Sequence, residues 1–122
     1  MLAKDIMRKR VITVTPRMTL KETAKLLTKR GISGAPVVGP QGKVVGVISQ
    51  TDLVWVENDP MRRVEQAMTP WGVSFEEETP VKDIARQMLA KRIHRVIITR
   101  KGELCGIVTS MDMLRALLKL AR

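Results

Sequence analysis

A single cysteine, a single histidine, three aromatic residues and no tyrosine among 122 residues close off several classes of function. One cysteine, Cys105, cannot build an internal disulfide framework, and it fits a reducing compartment such as the cytoplasm. With one His and one Cys, no cluster of ligands has metal-binding spacing. No Gly-rich phosphate loop of the Walker type and no Ser/His/Asp arrangement stands in the chain, so an enzyme is not expected. Scarce aromatics leave few stacking platforms for single-stranded nucleic acid. No apolar run approaches the roughly 18 residues that a membrane span requires. The opening residues, Met1-Leu2-Ala3-Lys4-Asp5, lack the apolar stretch and cleavage site of a secretion signal.

What the chain does contain is an ordinary hydrophobic share of 44%, enough for one compact domain or two subdomains sharing a core. It also carries a formal charge of +10. Residues 1–60 hold 10 Lys/Arg against 5 Asp/Glu and residues 61–122 hold 12 against 7, so the excess is spread evenly. Its one small cluster is Arg8-Lys9-Arg10. Such a field steers anions, small or polymeric.

Above all, the chain repeats itself. Gly46-Val47-Ile48-Ser49-Gln50-Thr51-Asp52 returns as Gly106-Ile107-Val108-Thr109-Ser110-Met111-Asp112, and Leu20-Lys21-Glu22-Thr23-Ala24 as Val81-Lys82-Asp83-Ile84-Ala85. Met7 matches Met68. Two copies of one unit, residues 1–60 with a linker and residues 61–122, are expected to pack together, with a ligand site at the seam.

Each copy reads as β-α-β-β-α, giving an α+β fold of two pseudo-twofold-related repeats packed through their sheets. In the first, Val11-Ile12-Thr13-Val14 is strand-like by its β-branched content. Thr19-Leu20-Lys21-Glu22 has the form of a capping box, and Gly31 after Lys29-Arg30 the form of a helix stop. Ala35–Val38 and Lys43–Ile48 read as strands around the turn Gly39–Gly42, Thr51–Val56 as a short closing helix, and Glu57–Pro60 as the linker. In the second, Trp71–Phe75 is strand-like, Glu76–Glu78 a solvated acidic loop, and Thr79-Pro80 a cap with proline at the first helical position. Val81, Ile84, Ala85, Met88 and Leu89 form a helical stripe. Val96–Ile98 and Leu104–Val108 are strands, and Met111–Ala121 a helix expected to bury Leu114, Leu117 and Leu118. Cys105 reads as a small core residue, and the methionines as gap-fillers.

Asp5-Ile6-Met7, Gly31-Ile32-Ser33-Gly34-Ala35-Pro36-Val37-Val38 and the two Gly-x-x-Ser/Thr-x-x-Asp endings resemble the cystathionine β-synthase (CBS) domain in its tandem form, over nearly the whole chain. The likeness is to a stand-alone pair without an attached enzyme or channel. A hydroxyl at a strand end and a carboxylate in the next helical turn can point into one crevice, where the carboxylate can take both hydroxyls of a ribose; the alternative is plain helix capping. The resemblance implies ribose roles for Asp52 and Asp112, with Ser49 and Thr109 at the hydroxyl position. It implies phosphate contact by His94 and Arg95, whose first-copy counterparts are Ser33 and Gly34, and places adenine near Val11, Thr13, Ile32 and Ala35. It further implies a ribose on Asp52 with phosphates towards His94 and Arg95, and a less charged ligand or none near Asp112.

The expected function is therefore regulatory sensing of an adenine nucleotide, AMP foremost, with no prosthetic group. A homodimer formed through the helices is expected, since Leu114, Leu117, Leu118 and Leu120 exceed what one short core needs, together with an effector protein that reads the ligand state. The alternatives are nucleic-acid association driven by charge, and a structural dimerisation module whose cleft is vestigial.

Overall fold

The computed structural model describes residues 1–70 and 74–120, with Trp55 described through its backbone only. In chain order the elements are α1 (Ala3–Ile6), α2 (Leu20–Arg30), β1 (Gly34–Val38), β2 (Val44–Ser49), α3 (Val64–Ala67), β3 (Ser74–Glu76), α4 (Val81–Lys91), β4 (Arg95–Arg100), β5 (Glu103–Thr109) and α5 (Ser110–Leu120). Short 3-10 turns lie at Pro40–Gly42 and Gln50–Trp55. The class is α+β, with a two-stranded sheet β1-β2 and a three-stranded sheet β3-β4-β5. The chain divides into two compact units, Ile12–Gly72 and Met1–Val11 with Val73–Arg122.

Local chemistry accounts for the boundaries of α2. Glu22 N donates to Thr19 Oγ1 at 3.1 Å and Thr19 N to Glu22 Oε1 at 3.0 Å, the reciprocal bonds of a capping box. Gly31 ends the helix in the left-handed region at φ 63°, which costs a residue without Cβ little. The other long helix, α4, starts one residue later than the sequence suggested: Pro80 is its cap, not its first residue. It ends on Arg92 at φ 54°, a conformation that a side-chain-bearing residue adopts at some cost.

In the unit Ile12–Gly72, β1 and β2 pair antiparallel, with Gly34 opposite Ser49. The strand expected over residues 11–14 shrinks to one parallel bridge, Val14 to Val37. Proline is the reason. In the second copy, Glu77 N donates to Thr99 O at 3.0 Å and prolongs the parallel pairing of β3 with β4. The matching residue in the first copy is Pro16, which has no N–H to give, and on the other side of the bridge Pro36 of β1 has none to offer the carbonyl of Ile12, so residues 11–13 stay unpaired. Leu20, Val37, Ile48 and Val64 form the centre of this unit's core, all essentially sealed from solvent.

The other unit repeats the plan around Ile84, Val96, Ile98 and Val108, with Ala3 fully buried among them. Residues 71–73 of the expected strand lie outside the described residues, and Ser74–Glu76 forms β3. Glu76–Glu78 is not a free acidic loop. Glu76 ends β3 and accepts from Thr99 Oγ1, while Glu77 is gripped by Arg100 through Nε at 2.6 Å and Nη2 at 3.0 Å. Helix α5 is also rotated from expectation. It buries Asp112 and Ala116, one turn apart, and leaves Leu114, Leu117 and Leu118 exposed on the far side. Asp112 bonds the end of β5, which sets the face that α5 turns inward.

Two four-residue helices were not foreseen, although they are related by the repeat itself. Ala3–Ile6 matches Val64–Ala67, and each is followed by the methionine of the Met7/Met68 pair. Val64 opens the second sequence copy yet belongs to the core of Ile12–Gly72; Ala3 opens the first copy yet belongs to the core of the other unit. After each short helix the chain bridges a strand. Thr69 and Val47 exchange bonds of 2.9 Å each way, and Arg8 and Ile107 exchange bonds of 2.8 and 3.0 Å.

Those bridges explain the repeated glycine. A Cβ on Gly46 would lie 2.5 Å from Thr69 O and 2.9 Å from Met68 Sδ; one on Gly106 would lie 2.6 Å from Met7 Sδ and 3.0 Å from Arg8 O. Gly46→Ala and Gly106→Ala are each expected to destabilise the fold by about 1–3 kcal/mol, because the nearest atoms include backbone that cannot step aside. Urea unfolding followed by circular dichroism measures this, and an unchanged midpoint would contradict the packing argument.

Candidate functional site

Each unit brings its share of the predicted residues to one place, where the first strand of an antiparallel pair begins and the second ends. In Ile12–Gly72 this place holds Ser33, Gly34, Ser49 and Asp52. Gly34 faces Ser49 in register, and Gln50 N donates to Ser33 O at 2.9 Å. In the other unit it holds His94, Arg95, Thr109 and Asp112. Arg95 faces Thr109, and Ser110 N donates to His94 O at 2.8 Å. His94 and Arg95 are both exposed. Gly34 stands where the second copy has Arg95, and a Cβ there would lie 2.9 Å from Ile48 O, so the first copy has no easy room for a matching cation.

The residues assigned to adenine divide. Thr13 is exposed, Ile32 is half-buried against the core, and Ala35 lies within the core, leaving chiefly its backbone for a ligand. These three belong to Ile12–Gly72, whereas Val11 belongs to the other unit.

The two carboxylates start from the same chemistry. Asp52 Oδ2 accepts from Ser49 N at 2.8 Å and Ser49 Oγ at 3.1 Å; Asp112 Oδ2 accepts from Thr109 N at 2.8 Å and Thr109 Oγ1 at 2.9 Å. Capping is thus a real role of both residues, and it occupies one oxygen of each. They part company at the second oxygen. Asp112 Oδ1 accepts from Arg8 Nε at 3.1 Å and Arg115 Nη1 at 3.2 Å, and the residue is only 6% exposed. Asp52 is half-buried, and among the described residues no donor bonds its Oδ1. Arg115 was within reach of sequence reasoning, one helical turn beyond Asp112. Arg8 was not, since it lies 104 residues away and arrives only through its bridge to Ile107.

These contacts set the electrostatics of Asp112. Burial pushes its carboxyl up, but the Thr109 amide, the Arg8 guanidinium and the Thr109 hydroxyl together hold it below the ordinary aspartate value of 3.8. Burial likewise pushes the Cys105 thiol up, and the residue packs beside the core, which suits a packing role better than a nucleophilic one. Among the described residues, no group of three or more metal-ligating side chains is found, and no helix is long and apolar enough to cross a membrane.

Beside this site an apolar groove of about 780 Å³ runs between α4 and α5, lined by Met1, Leu89, Leu114, Leu117 and Leu120 and bordered by His94. Leu89, expected to be buried in the α4 stripe, is 82% exposed along it.

The chain belongs to the CBS domain family: the family model matches twice, over residues 3–59 and 64–119. Among structures it resembles the CBS domain pair of protein MJ0100 in complex with 5'-methylthioadenosine and S-adenosyl-L-methionine, at 32% identity and TM-score 0.80, covering 96% of this chain and 95% of that one. It also resembles CBSX2 in complex with AMP, at 27% identity and TM-score 0.89, covering 99% and 98%. A curated relative is the inosine-5'-monophosphate dehydrogenase of Methanocaldococcus jannaschii, 33% identical over 114 residues, or 93% of this chain and 23% of the enzyme. The chain thus spans about a quarter of the length of that relative, within its CBS region.

Because the folded-state pKa of Asp112 is depressed, the stability it contributes is fully present above pH 3.8 and is lost as pH falls further, through the folded value. Arg8→Ala removes one charge-assisted bond to a buried carboxylate. Since Arg8 is itself half exposed, the expected loss is about 1 kcal/mol near neutral pH, narrowing in acid. Unfolding curves at pH 7 and pH 3 test this; equal losses at both would contradict it.

Proposed function

We propose that the chain is a regulatory module that binds an adenosine-containing ligand, with AMP as the foremost candidate, and that Asp52 is its ribose carboxylate. The observation that carries this reading is the Ser49–Asp52 junction. There the hydroxyl and amide of Ser49 orient the carboxylate through one oxygen, and the other oxygen has no donor among the described residues. A ribose offers two vicinal hydroxyl donors to such an acceptor. Support also comes from relatives of nearly the same length in complex with AMP and with adenosyl compounds. His94 and Arg95 are proposed as phosphate contacts: both are exposed, and a guanidinium presents a planar fork to phosphate oxygens. The net charge of +10 favours the arrival of any such anion.

Regulation then follows from differential affinity. A ligand that prefers one arrangement of the chain raises its population, and an effector protein reads the change. We assign the module to the cytoplasm and no catalytic step to it. We also propose a homodimer that covers Leu89, Leu114, Leu117 and Leu118, which are 53–82% exposed in the single chain.

Isothermal titration of ligand-free protein with AMP, ATP and S-adenosylmethionine should give saturable binding to at least one. Asp52→Ala is expected to weaken it about 10–100-fold, the loss of charge-assisted bonds to the ribose, while Asp112→Ala should leave it within about threefold provided the variant folds. The reverse pattern would overturn the assignment. No heat from any of the three, alongside salt-sensitive retention of oligonucleotide, would favour the nucleic-acid alternative. Sedimentation should give a dimer for the unaltered chain and a monomer for Leu117→Glu; a monomer throughout would refute the dimer.

A further inference from the structure

The two repeat-ending aspartates have the same neighbours in their own strand ends and different neighbours on the free oxygen. We infer that Arg8 and Arg115 form a specificity lock on Asp112, which denies the second copy a ribose site and makes the module bind one adenosyl ligand per chain. The inference rests on the reading of Asp52 as a ribose carboxylate.

The lock is built from both ends. Arg115 stands one turn along α5 from Asp112, and its Nη1 reaches Oδ1 at 3.2 Å. Arg8 is fixed by its backbone: the paired bonds with Ile107 hold it against β5, and Met7 behind it presses on Gly106. Its Nε then meets the same Oδ1 at 3.1 Å. With Thr109 N and Oγ1 on Oδ2, four donors take the carboxylate, two on each oxygen. A ribose would have to displace two charge-assisted bonds, each worth about a tenfold or greater loss of affinity. It would also leave two guanidinium groups to find other partners.

The unit Ile12–Gly72 cannot build this device. The residue matching Arg8 is Thr69 and the residue matching Arg115 is Trp55, and neither carries a cation. Thr69 makes the equivalent backbone bridge, to Val47, so the scaffold is shared and only the side chain differs. The difference between the two carboxylates thus lies in two substitutions, both outside the Gly-x-x-Ser/Thr-x-x-Asp string that the copies share.

The test transplants the residue that the unit Ile12–Gly72 has at this place. Arg8→Thr and Arg8→Thr/Arg115→Ala are titrated calorimetrically with AMP, ATP and S-adenosylmethionine, with the native circular dichroism spectrum as the criterion of folding. The unaltered chain should take one ligand per chain. The double variant should take two, and adding Asp112→Ala should remove the second. A folded double variant that still takes one, or an unaltered chain that takes two and loses one with Asp112→Ala, overturns the lock. Should the double variant fail to fold, Arg8→Thr alone should reveal a weaker second site, and its absence counts against the inference. If the unaltered chain takes no ligand, the functional reading fails, and the lock is judged by the ¹³Cγ titration of Asp112. That titration should move up in Arg8→Thr, and an unmoved titration overturns the lock.

Discussion

Backbone meeting backbone at Gly46 and Gly106 is the constraint on which the rest of each unit depends. At these points a segment from elsewhere in the chain lies against the middle of β2 or β5, close enough that a methyl group would collide with carbonyl oxygen and methionine sulfur. The approach permits the bridges Val47–Thr69 and Arg8–Ile107, which satisfy strand-edge donors and acceptors that would otherwise face solvent unpaired. It also seats the short helices α1 and α3, whose residues Ala3 and Val64 complete the two cores. Neither sheet is large enough to form a core by itself, so each unit needs this added piece.

The same approach reaches into the candidate site. Because Arg8 is pinned to Ile107, its guanidinium arrives at Asp112 and saturates that carboxylate, while among the described residues no donor bonds the second oxygen of its twin. A buried carboxylate must find donors, and here they come partly from a distant arginine. In the unit Ile12–Gly72 the corresponding segment delivers a threonine, Thr69, so the field around Asp52 is different although its strand end is built alike. The repeat therefore carries two similar strand ends and two carboxylates with unequal surroundings.

Helix α5 shows how one polar bond can overrule a hydrophobic pattern. Its leucines suggested the buried face, yet Thr109 and Asp112 bond across the strand-to-helix junction and turn Asp112 and Ala116 inward instead. Leu114 and Leu117 join Leu89 of α4 along an apolar groove. Apolar periodicity says that a helix has two faces; the junction decides which one meets the sheet.

Much of this was legible in the residues alone. The repeat, the capping box at Thr19, the glycine stop at Gly31, the hairpin strands and the Ser/Thr-x-x-Asp junctions all depend on neighbours within a few residues, where spacing and chirality dictate geometry. The expected first strand does not form because missing N–H groups on both sides of the one bridge, at Pro36 and Pro16, outweigh four favourable β-branched residues. What only the tertiary structure decided is which distant segments meet: the seat of α1 and α3, the purpose of the repeated glycines, and the arrival of Arg8 at Asp112, 104 residues away. Such contacts arise from steric fit and polar satisfaction between segments, and no local periodicity encodes them.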